Sequence, residues 1–534
     1  MRDLAHLLDR LSLTKAPKVK QTLVREFMRR TPDPDRGWVL AVLTGALGFR
    51  AVRLAAIRET AEARMDSALF AWSRDYVGDL AETIALVWPS RPGANREPDI
   101  SDVVQALPQA SPEHAKVLVE GWLDALDADG RWALLKLVTG GPRAHISPGL
   151  ARQALADFGG VAVAEIEELW HAQEPPYGPF LTWLEGRGAR PAAPAAGHFR
   201  PVMLANALDV GADLSVSDPA DFAVEWKWDG VRVQAVAEDG VRRLYTRGGD
   251  DISAAFPDVL EAMTFEGVID GELLIMRPGG IAPYSDLGRR LGRKTADTRL
   301  IARSPAGVRA YDMLADHGED LRDLPFRQRR ARLETMIAGH GSPRLDLSPI
   351  RSVETWEQLK ALRAAPPPGD AGLAEGLMLK RWDSPYVAGR PGGPWFKWKR
   401  DPMILDAVLM YARRGADIRS SLHSDVTFGL WRAAPGEDRA LVAVGKADVG
   451  LNDAEMKAVD VFVRENTLER FGPARSVRAG EAGGLVLEVA FETVQRSTRH
   501  KSGLALRAAR INRIRWDKPA READDLATLE RLVR

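Results

Sequence analysis

"FAVEWKWDGVRVQAVAEDGVRRLYTRGGDDIS", residues 222–253, decides how this chain is read. Apolar residues recur at every second position through Phe222, Val224, Trp226 and Trp228, the period of a strand. Side chains alternate faces along a strand, so these four share one side, and Ala223, Glu225 and Lys227 share the other. The tryptophans are thereby core. Glu225 and Lys227 point together, away from the apolar face, at the end of a strand that Asp229-Gly230 terminates. Asp239-Gly240, between two alternating runs, predicts a tight hairpin turn and needs no chemical role.

Working outward, 534 residues are too many for one hydrophobic core, which predicts about three domains. Apolar residues at 45% and charged residues at 28% describe a globular, water-soluble composition. The 74 basic and 74 acidic side chains cancel, so a nucleic-acid footprint must be a local patch, and an enzyme acting on small molecules stays open on composition. Cysteine is absent. That excludes a disulfide framework, a Cys-ligated zinc ribbon and a thiol nucleophile, and it fits a reducing cytoplasm. The opening "MRDLAHLLDRLSL" reads as an amphipathic helix through Leu4, Leu7, Leu8 and Leu11, without the apolar block of a signal peptide. No window is long and apolar enough for a membrane span.

Up to about residue 185 apolar residues keep three-four spacing, with start signals such as "SPEHAKVLVEGWLDAL", where Ser111 can cap and Pro112 sits in the first turn. "GRGARPAAPAAGHFRP", Gly186 to Pro201, lacks periodicity and reads as a linker. Beyond it the period becomes two. "AVEWKW", "VRVQAVA", "GVIDGELLIM" and "GLMLKRW" are strands separated by helical stretches, and after "KWKRDPMILDAVLMYARR" further strands suggest a small β-barrel. The chain therefore divides into an all-α domain (1–190), a linker (191–200), an α+β domain (201–402) and an all-β domain (403–534).

A lysine in K-x-D-G is a weak signal alone. Here it opens a series: "EWKWDGVR", "YTRGG" with Arg247, "IDGELL" with Glu272, "AYDML" with Tyr311, "EGLMLKR" with Glu375, "WFKWK" with Lys397 and Lys399, and "LRAARINRIRWDK" from Leu506 to Lys518. In content and order this series resembles the ATP-dependent DNA ligases of the covalent nucleotidyltransferase superfamily. The first domain resembles their helical DNA-binding domain, most visibly at "YVGDLAET". The resemblance implies a multidomain fold: an all-α DNA-binding domain, an α+β nucleotidyltransferase (ATP-grasp-like ligase) domain and an all-β OB-fold domain. It implies a monomer acting on nicked duplex DNA, away from membranes, in the cytoplasm with the nucleoid, in repair, recombination or replication.

The chemistry explains the residue types. Joining a 5′-phosphate to a 3′-hydroxyl needs a leaving group on the phosphate, and the family supplies AMP, carried first on the lysine. Lys227 would attack the α-phosphate of ATP as a free amine, a state that neighbouring cations favour. The resemblance places Glu225 on the adenine amino group, Tyr311 against the adenine ring, and Arg232 and Arg247 on nucleotide and nick phosphates. Lys397 and Lys399, two apart on one face, would approach the α-phosphate while Phe396 and Trp398 turn into the core. Arg390, in "AGRPGGPW", is a further phosphate candidate. Asp270 and Glu272 share a face opposite Ile269, Leu273 and Ile275. Glu272 would meet ribose or a metal, and Glu272 with Glu375 would hold Mg²⁺, or Mn²⁺ in its place, because hard cations with phosphate partners take one or two carboxylates and keep waters.

The run from Arg496 to Lys518 is basic against the single acid Asp517. Alternation aims Arg513 and Arg515 the same way. The resemblance gives Arg513, Arg515, Asp517 and Lys518 to the departing pyrophosphate, on a domain that swings between two arrangements.

An mRNA capping guanylyltransferase or an RNA ligase shares the lysine motif, but such enzymes generally lack the helical domain. A catalytically silent nucleic-acid-binding protein is disfavoured by the full set of motif residues. A nicotinamide-dependent ligase would carry a cysteine-ligated zinc module.

Overall fold

A computed structural model describes the chain apart from residues 15, 48, 50–51, 53, 78, 90–95, 140–145, 193–195, 209–217, 294, 415–422, 433–438, 450, 472–473, 482, 498–499 and 534. Gly78 of "YVGDLAET" and Arg499 of the basic run lie outside the described residues. The chain folds as two compact units: Met1–Val163, Gln173–Pro191 and Met403–Val533 form one, Ala164–Ala172 and Ala192–Pro402 the other.

Helices run from Arg2–Ser12 to Gly178–Leu184. The first buries Leu4, Leu7, Leu8 and Leu11, as their spacing predicts. Ser111 Oγ accepts the His114 N–H at 3.3 Å, with Pro112 in the first turn of Pro112–Ala125. No helix among the described residues is long and apolar enough to cross a membrane.

The units change over at Pro191/Ala192, next to the boundary expected at residue 190, with one exception. Ala164–Ala172 belongs to the α+β unit, where His171 packs its ring on Tyr245 (4.9 Å between centroids) and Phe199 (5.6 Å). The linker is shorter than its composition suggests. Phe199 is buried, the Arg200 N–H donates to Gln234 Oε1 at 2.6 Å, and the Arg200 guanidinium pairs with Glu238 at 2.6 Å. One buried ring and one buried ion pair fasten these residues despite the Gly/Pro/Ala run before them.

In the α+β unit the strands are β1 (Asn206–Ala207), β2 (Phe222–Lys227), β3 (Val231–Glu238), β4 (Val241–Thr246), β5 (Gly267–Arg277), β6 (Gly280–Ile281), β7 (Ala306–Asp316), β8 (Glu319–Asp320), β9 (Leu345–Leu347), β10 (Ile350–Arg351), β11 (Gly376–Arg381) and β12 (Trp395–Lys399). One sheet runs β1-β12-β11-β2-β10, the other β4-β3-β5-β7-β8, with β6 on β5 and β9 on β7. Asp239 and Gly240 both take positive φ (48° and 76°) and Glu238 pairs with Val241, the two-residue hairpin that "EDGV" predicts.

Register decides the faces. Lys227 lies opposite Gly376, which lies opposite Lys399; Glu225 lies opposite Met378, which lies opposite Lys397. Glu225, Lys227, Met378, Lys380, Trp395, Lys397 and Lys399 therefore share one face of the first sheet. Phe222, Val224, Trp226, Leu377, Leu379, Phe396 and Trp398 pack together on the other, as expected. Val233, Ala235, Ile269, Leu273 and Ile275 form the outer core of the second sheet. An inner cluster joins Trp395 and Met378 of the first sheet to Val236, Tyr245, Val268 and Leu314 of the second, so charged side chains beside it lie in the cleft between sheets.

Beyond Pro402 the strands are β13 (Met403–Arg414), β14 (His423–Arg432), β15 (Ala440–Val449), β16 (Thr467–Phe471), β17 (Ala474–Val477), β18 (Val486–Phe491), β19 (Thr493–Arg496), β20 (Leu504–Arg507) and β21 (Arg510–Ile514). Pairing runs β14-β15-β21-β18-β13, and β13 also pairs with β14, closing a five-stranded barrel of OB type. A helix that the strand-rich reading passed over, Asp453–Glu465, follows β15 behind an Asn452/Glu455 capping box.

Candidate active site

Lys227 ends β2, and its Nζ donates to Glu375 Oε2. Backbone fixes both partners: the Glu375 N–H donates to the Lys227 carbonyl at 2.7 Å, and the Arg400 N–H to the Glu375 carbonyl at 2.9 Å. Gly376 has φ of 150°, and a Cβ there would lie 2.2 Å from the Trp398 carbonyl oxygen, so the residue after Glu375 must be glycine for β11 to enter between β2 and β12. Gly230 plays the matching part at the other wall. A Cβ there would lie 2.4 Å from the Leu273 carbonyl oxygen and 2.8 Å from Glu272 Cγ, and the Gly230 N–H bonds the Glu272 carboxyl. The glycine of K-x-D-G thus seats the β2–β3 turn on β5.

Glu272 lies opposite Arg232 on β3 and Arg309 on β7. Burial pushes its carboxyl up to about 8; Glu375 adds to the rise, while Lys227, Arg232 and the Gly230 N–H offset part of it. A raised carboxyl facing a second carboxylate and an amine fits a divalent cation. Among the described residues no group of three or more Asp, Glu or His is placed to hold a metal, so phosphate oxygens would complete the shell of Glu272 and Glu375.

This shift has a sign that can be measured. A carboxyl whose folded pKa exceeds its unfolded value, about 4.3, supports the fold fully below that pH and ceases to do so as pH rises through about 8. Glu272→Gln is therefore expected to match the parent melting temperature at pH 5 in metal-free buffer and to exceed it by a few degrees at pH 9. Thermal melts across this range check it; equal curves at both pH values would place Glu272 in water.

Lys397 is half-buried and Lys399 exposed, on the Lys227 face. Burial, then the charges of Arg390, Lys227, Lys399 and Arg247, hold the Lys397 ammonium below its ordinary value. The cations expected at phosphate are thus brought together, including Arg390 and Arg247 from exposed loops. Lys399 Nζ stands 3.8 Å from the Glu375 oxygen that Lys227 binds. Tyr311 is half-buried in the cleft, its hydroxyl held well above the ordinary range by burial.

Two expected ligands of the nucleotide already have protein partners. Glu225 is 1% exposed; its Oε2 lies 2.5 Å from Lys380 Nζ and its Oε1 3.2 Å from Arg330 Nη1. Lys380 in turn lies 4.1 Å from the Tyr311 ring centre, 4.7 Å from Trp395 and 5.1 Å from Phe326, and burial lowers its pKa. Arg232 is not open to phosphate either: it reaches both Asp270 oxygens (3.3 and 2.5 Å), the Met203 carbonyl (2.6 Å) and the Tyr386 hydroxyl (3.0 Å). The Tyr386 hydroxyl itself donates to Asp270 at 2.6 Å. A buried guanidinium needs such company, which reading one strand does not supply. Lys380 was legible in "EGLMLKR" as the third residue of the Gly376-Met378 face; Arg330, on helix Phe326–His340, and Tyr386 carry no local signal.

On the barrel, a bulge sets Asn512 and Arg513 both against Glu488, at 2.6 and 2.7 Å; beyond it Ile514 turns inward and Arg513 and Arg515 point the same way, as expected. Arg515, beyond the end of β21, still reaches the same carboxylate at 3.9 Å and binds Asp406 at 3.0 Å and Asp517 at 2.9 Å. Lys518 Nζ lies 2.7 Å from Asp406. The segment's one local acid is thus joined by Asp406 of β13 and Glu488 of β18. Arg515 brings the Asp517 carboxyl down to about 2.

The family model for the ATP dependent DNA ligase domain matches residues 202–399, the span that holds this cleft. A "Probable DNA ligase" of Koribacter versatilis is 36% identical over 334 residues, covering 58% of this chain and 56% of that protein, so the chain spans about half of that relative's length. A "Probable DNA ligase" of Streptomyces griseus is 30% identical over 554 residues and is covered along 99% of both chains. The solved structure Pmar-Lig_PreS3 shares the fold, with a TM-score of 0.58 over 96% of this chain and 99% of that one at 14% identity. A lysine at the head of K-x-D-G, with two glutamates and a cation cluster in one cleft, and full-length likeness to such a relative, together establish that the chain belongs to the ATP-dependent DNA ligase family.

Proposed function

We propose that the chain seals nicks in duplex DNA, joining a 3′-hydroxyl to a 5′-phosphate through AMP carried on Lys227. The observation that carries this reading is the contact of Lys227 Nζ with Glu375 inside a ring of cations, with Glu272 at the facing strand. Before attack the amine must shed a proton, and Glu375 Oε2 is the acceptor in contact with it. The nitrogen then bonds to the α-phosphorus of ATP as the bond to pyrophosphate breaks. Lys397, Lys399, Arg390 and Arg247 balance the charge that builds on the phosphates. Glu272 and Glu375 would hold a divalent cation, whose charge would polarise the same phosphate. In the second step a 5′-phosphate oxygen takes the AMP and returns the electron pair to Lys227 Nζ. In the third the 3′-oxygen attacks that 5′-phosphorus and AMP leaves.

Adenine belongs beside Tyr311 in this reading, and Glu225 meets its amino group only if Lys380 gives way. The helical segment, residues 1–190, is assigned to the duplex, and Arg513, Arg515 and Lys518 to the leaving pyrophosphate. Arg513→Ala is then expected to slow self-adenylation by on the order of tenfold to a thousandfold, with a chemically pre-adenylated nick sealed near the parent rate, since that step releases no pyrophosphate. Single-turnover rates on the two substrates check it. Equal slowing of both would make the basic segment a duplex-binding surface. For the activity as a whole, a nicked duplex should be joined with ATP and Mg²⁺ and left open with GTP; joining with GTP, or only of RNA, overturns the assignment.

A further inference from the structure

We propose that a cavity of about 540 Å³ behind the nucleophile's strand binds a planar organic anion, and that its occupancy alters the Lys227–Glu375 pair. Its walls include Trp226, Trp228, Arg309, Arg351, Pro368 and Asp370. The volume suits a small ligand, for which pockets of roughly 300–1,000 Å³ are usual.

The charges of the wall are unevenly satisfied. Arg309 lies 4.4 Å over the Trp228 ring and is neutralised by Asp346 at 2.7 Å and Asp370 at 3.0 Å. The other Asp370 oxygen accepts the Ile281 N–H at 2.9 Å. Arg351 is exposed, lies 5.7 Å over the Trp226 ring and has no ion pair among the described residues. Trp226 is 2% exposed, and its Nε1 finds no acceptor, whereas Trp228 Nε1 donates to Ser348 Oγ at 3.1 Å. What the wall leaves over is the Arg351 cation, the unpaired N–H of the buried Trp226 indole beneath it, and the apolar surface of Leu347, Pro349 and Pro368. That combination selects a ligand with an aromatic plane and an anionic acceptor.

Residues of the cavity wall adjoin both members of the catalytic pair along the chain. Trp226 and Trp228 flank Lys227 in the chain. Asp370 and Ala371 begin the turn Asp370–Leu373 that leads into Glu375, whose N–H holds the Lys227 carbonyl. A ligand that moves either wall moves one partner of the pair. This coupling rests on Lys227 being the nucleophile; the binding does not.

The test uses the full chain, with 2-naphthoate as probe and neutral 2-naphthamide as its control, by isothermal titration. 2-Naphthoate is expected to bind with a Kd of about 1 mM or tighter, and on the order of tenfold more tightly than the amide. Arg351→Gln should remove that preference and Arg351→Lys keep most of it, while both variants label with ATP at the parent rate in the absence of probe. Saturating ATP should not displace the probe, and saturating probe should change the rate of labelling at least twofold. No binding at 10 mM (roughly ten times the expected Kd), equal affinity for acid and amide, indifference to Arg351→Gln, displacement by ATP, or an unaltered labelling rate each overturns the proposal. Loss of labelling in the parent chain without probe would instead strike the nucleophile assignment.

Discussion

Lys227→Ala and Lys227→Arg are both expected to lose covalent labelling by α-labelled ATP entirely while melting within a degree or two of the parent. Among the described residues the half-buried lysine makes one side-chain ion pair, to Glu375, which keeps Lys399 at 3.8 Å when Lys227 is removed. Chemistry, in contrast, needs an amine that can give up a proton. Guanidinium stays protonated throughout the accessible pH range and cannot form the nitrogen–phosphorus bond. Arginine restores the charge beside Glu375 and the reach of the side chain, and is still expected to be dead. Labelling that survives in either variant would place the nucleophile elsewhere.

Glu225→Ala is expected to be the most damaging change to stability among the cleft residues. Glu225 sits between Lys380 and Arg330, both buried, and removing it leaves two cations without their shared carboxylate. Breaking a buried pair in this way costs about 3–5 kcal/mol. For a unit of this size that lowers the melting transition by roughly 10 °C. The loss should be smaller at pH 10 than at pH 7, because the Lys380 ammonium, already lowered by burial, can neutralise by shedding its proton. Calorimetry of parent and variant at the two pH values reads both effects. A fall of a degree or less at pH 7 would show that Glu225 is solvated and free to meet adenine without displacing anything.

These two residues also mark how far the sequence could be read. Alternation along β2 assigned each side chain from Phe222 to Lys227 to its face, because a strand's period of two is a local property. The Asp239-Gly240 turn followed from an Asp-Gly pair between two alternating runs, and both residues take positive φ. Lys397 and Lys399 fell on the face expected for the same local reason. What the sequence hid was partnership across distance. Glu225 meets residues 330 and 380, and Arg232 meets residues 270 and 386, contacts delivered by strands, a helix and a loop remote in the chain. Counting charge along the basic segment near Lys518 likewise overlooked Asp406 and Glu488, delivered by β13 and β18. Alternation did aim Arg513 and Arg515 the same way, but the bulge that brings Asn512 to the same carboxylate depends on the strand opposite and carried no local signal. The helix Asp453–Glu465 was different, since Asn452 and Glu455 form a capping box that three-residue spacing could have shown.

Whether Lys227 carries AMP to a DNA end is read by one chase experiment. Protein labelled with α-labelled ATP is freed of nucleotide and mixed with nicked duplex in Mg²⁺ without further ATP. Label is expected to leave the protein, pass through the 5′-phosphate end of the nick and emerge as free AMP in step with sealed strands. Label that stays on the protein while nicked duplex is present, or nicks that close with no loss of label, would contradict it.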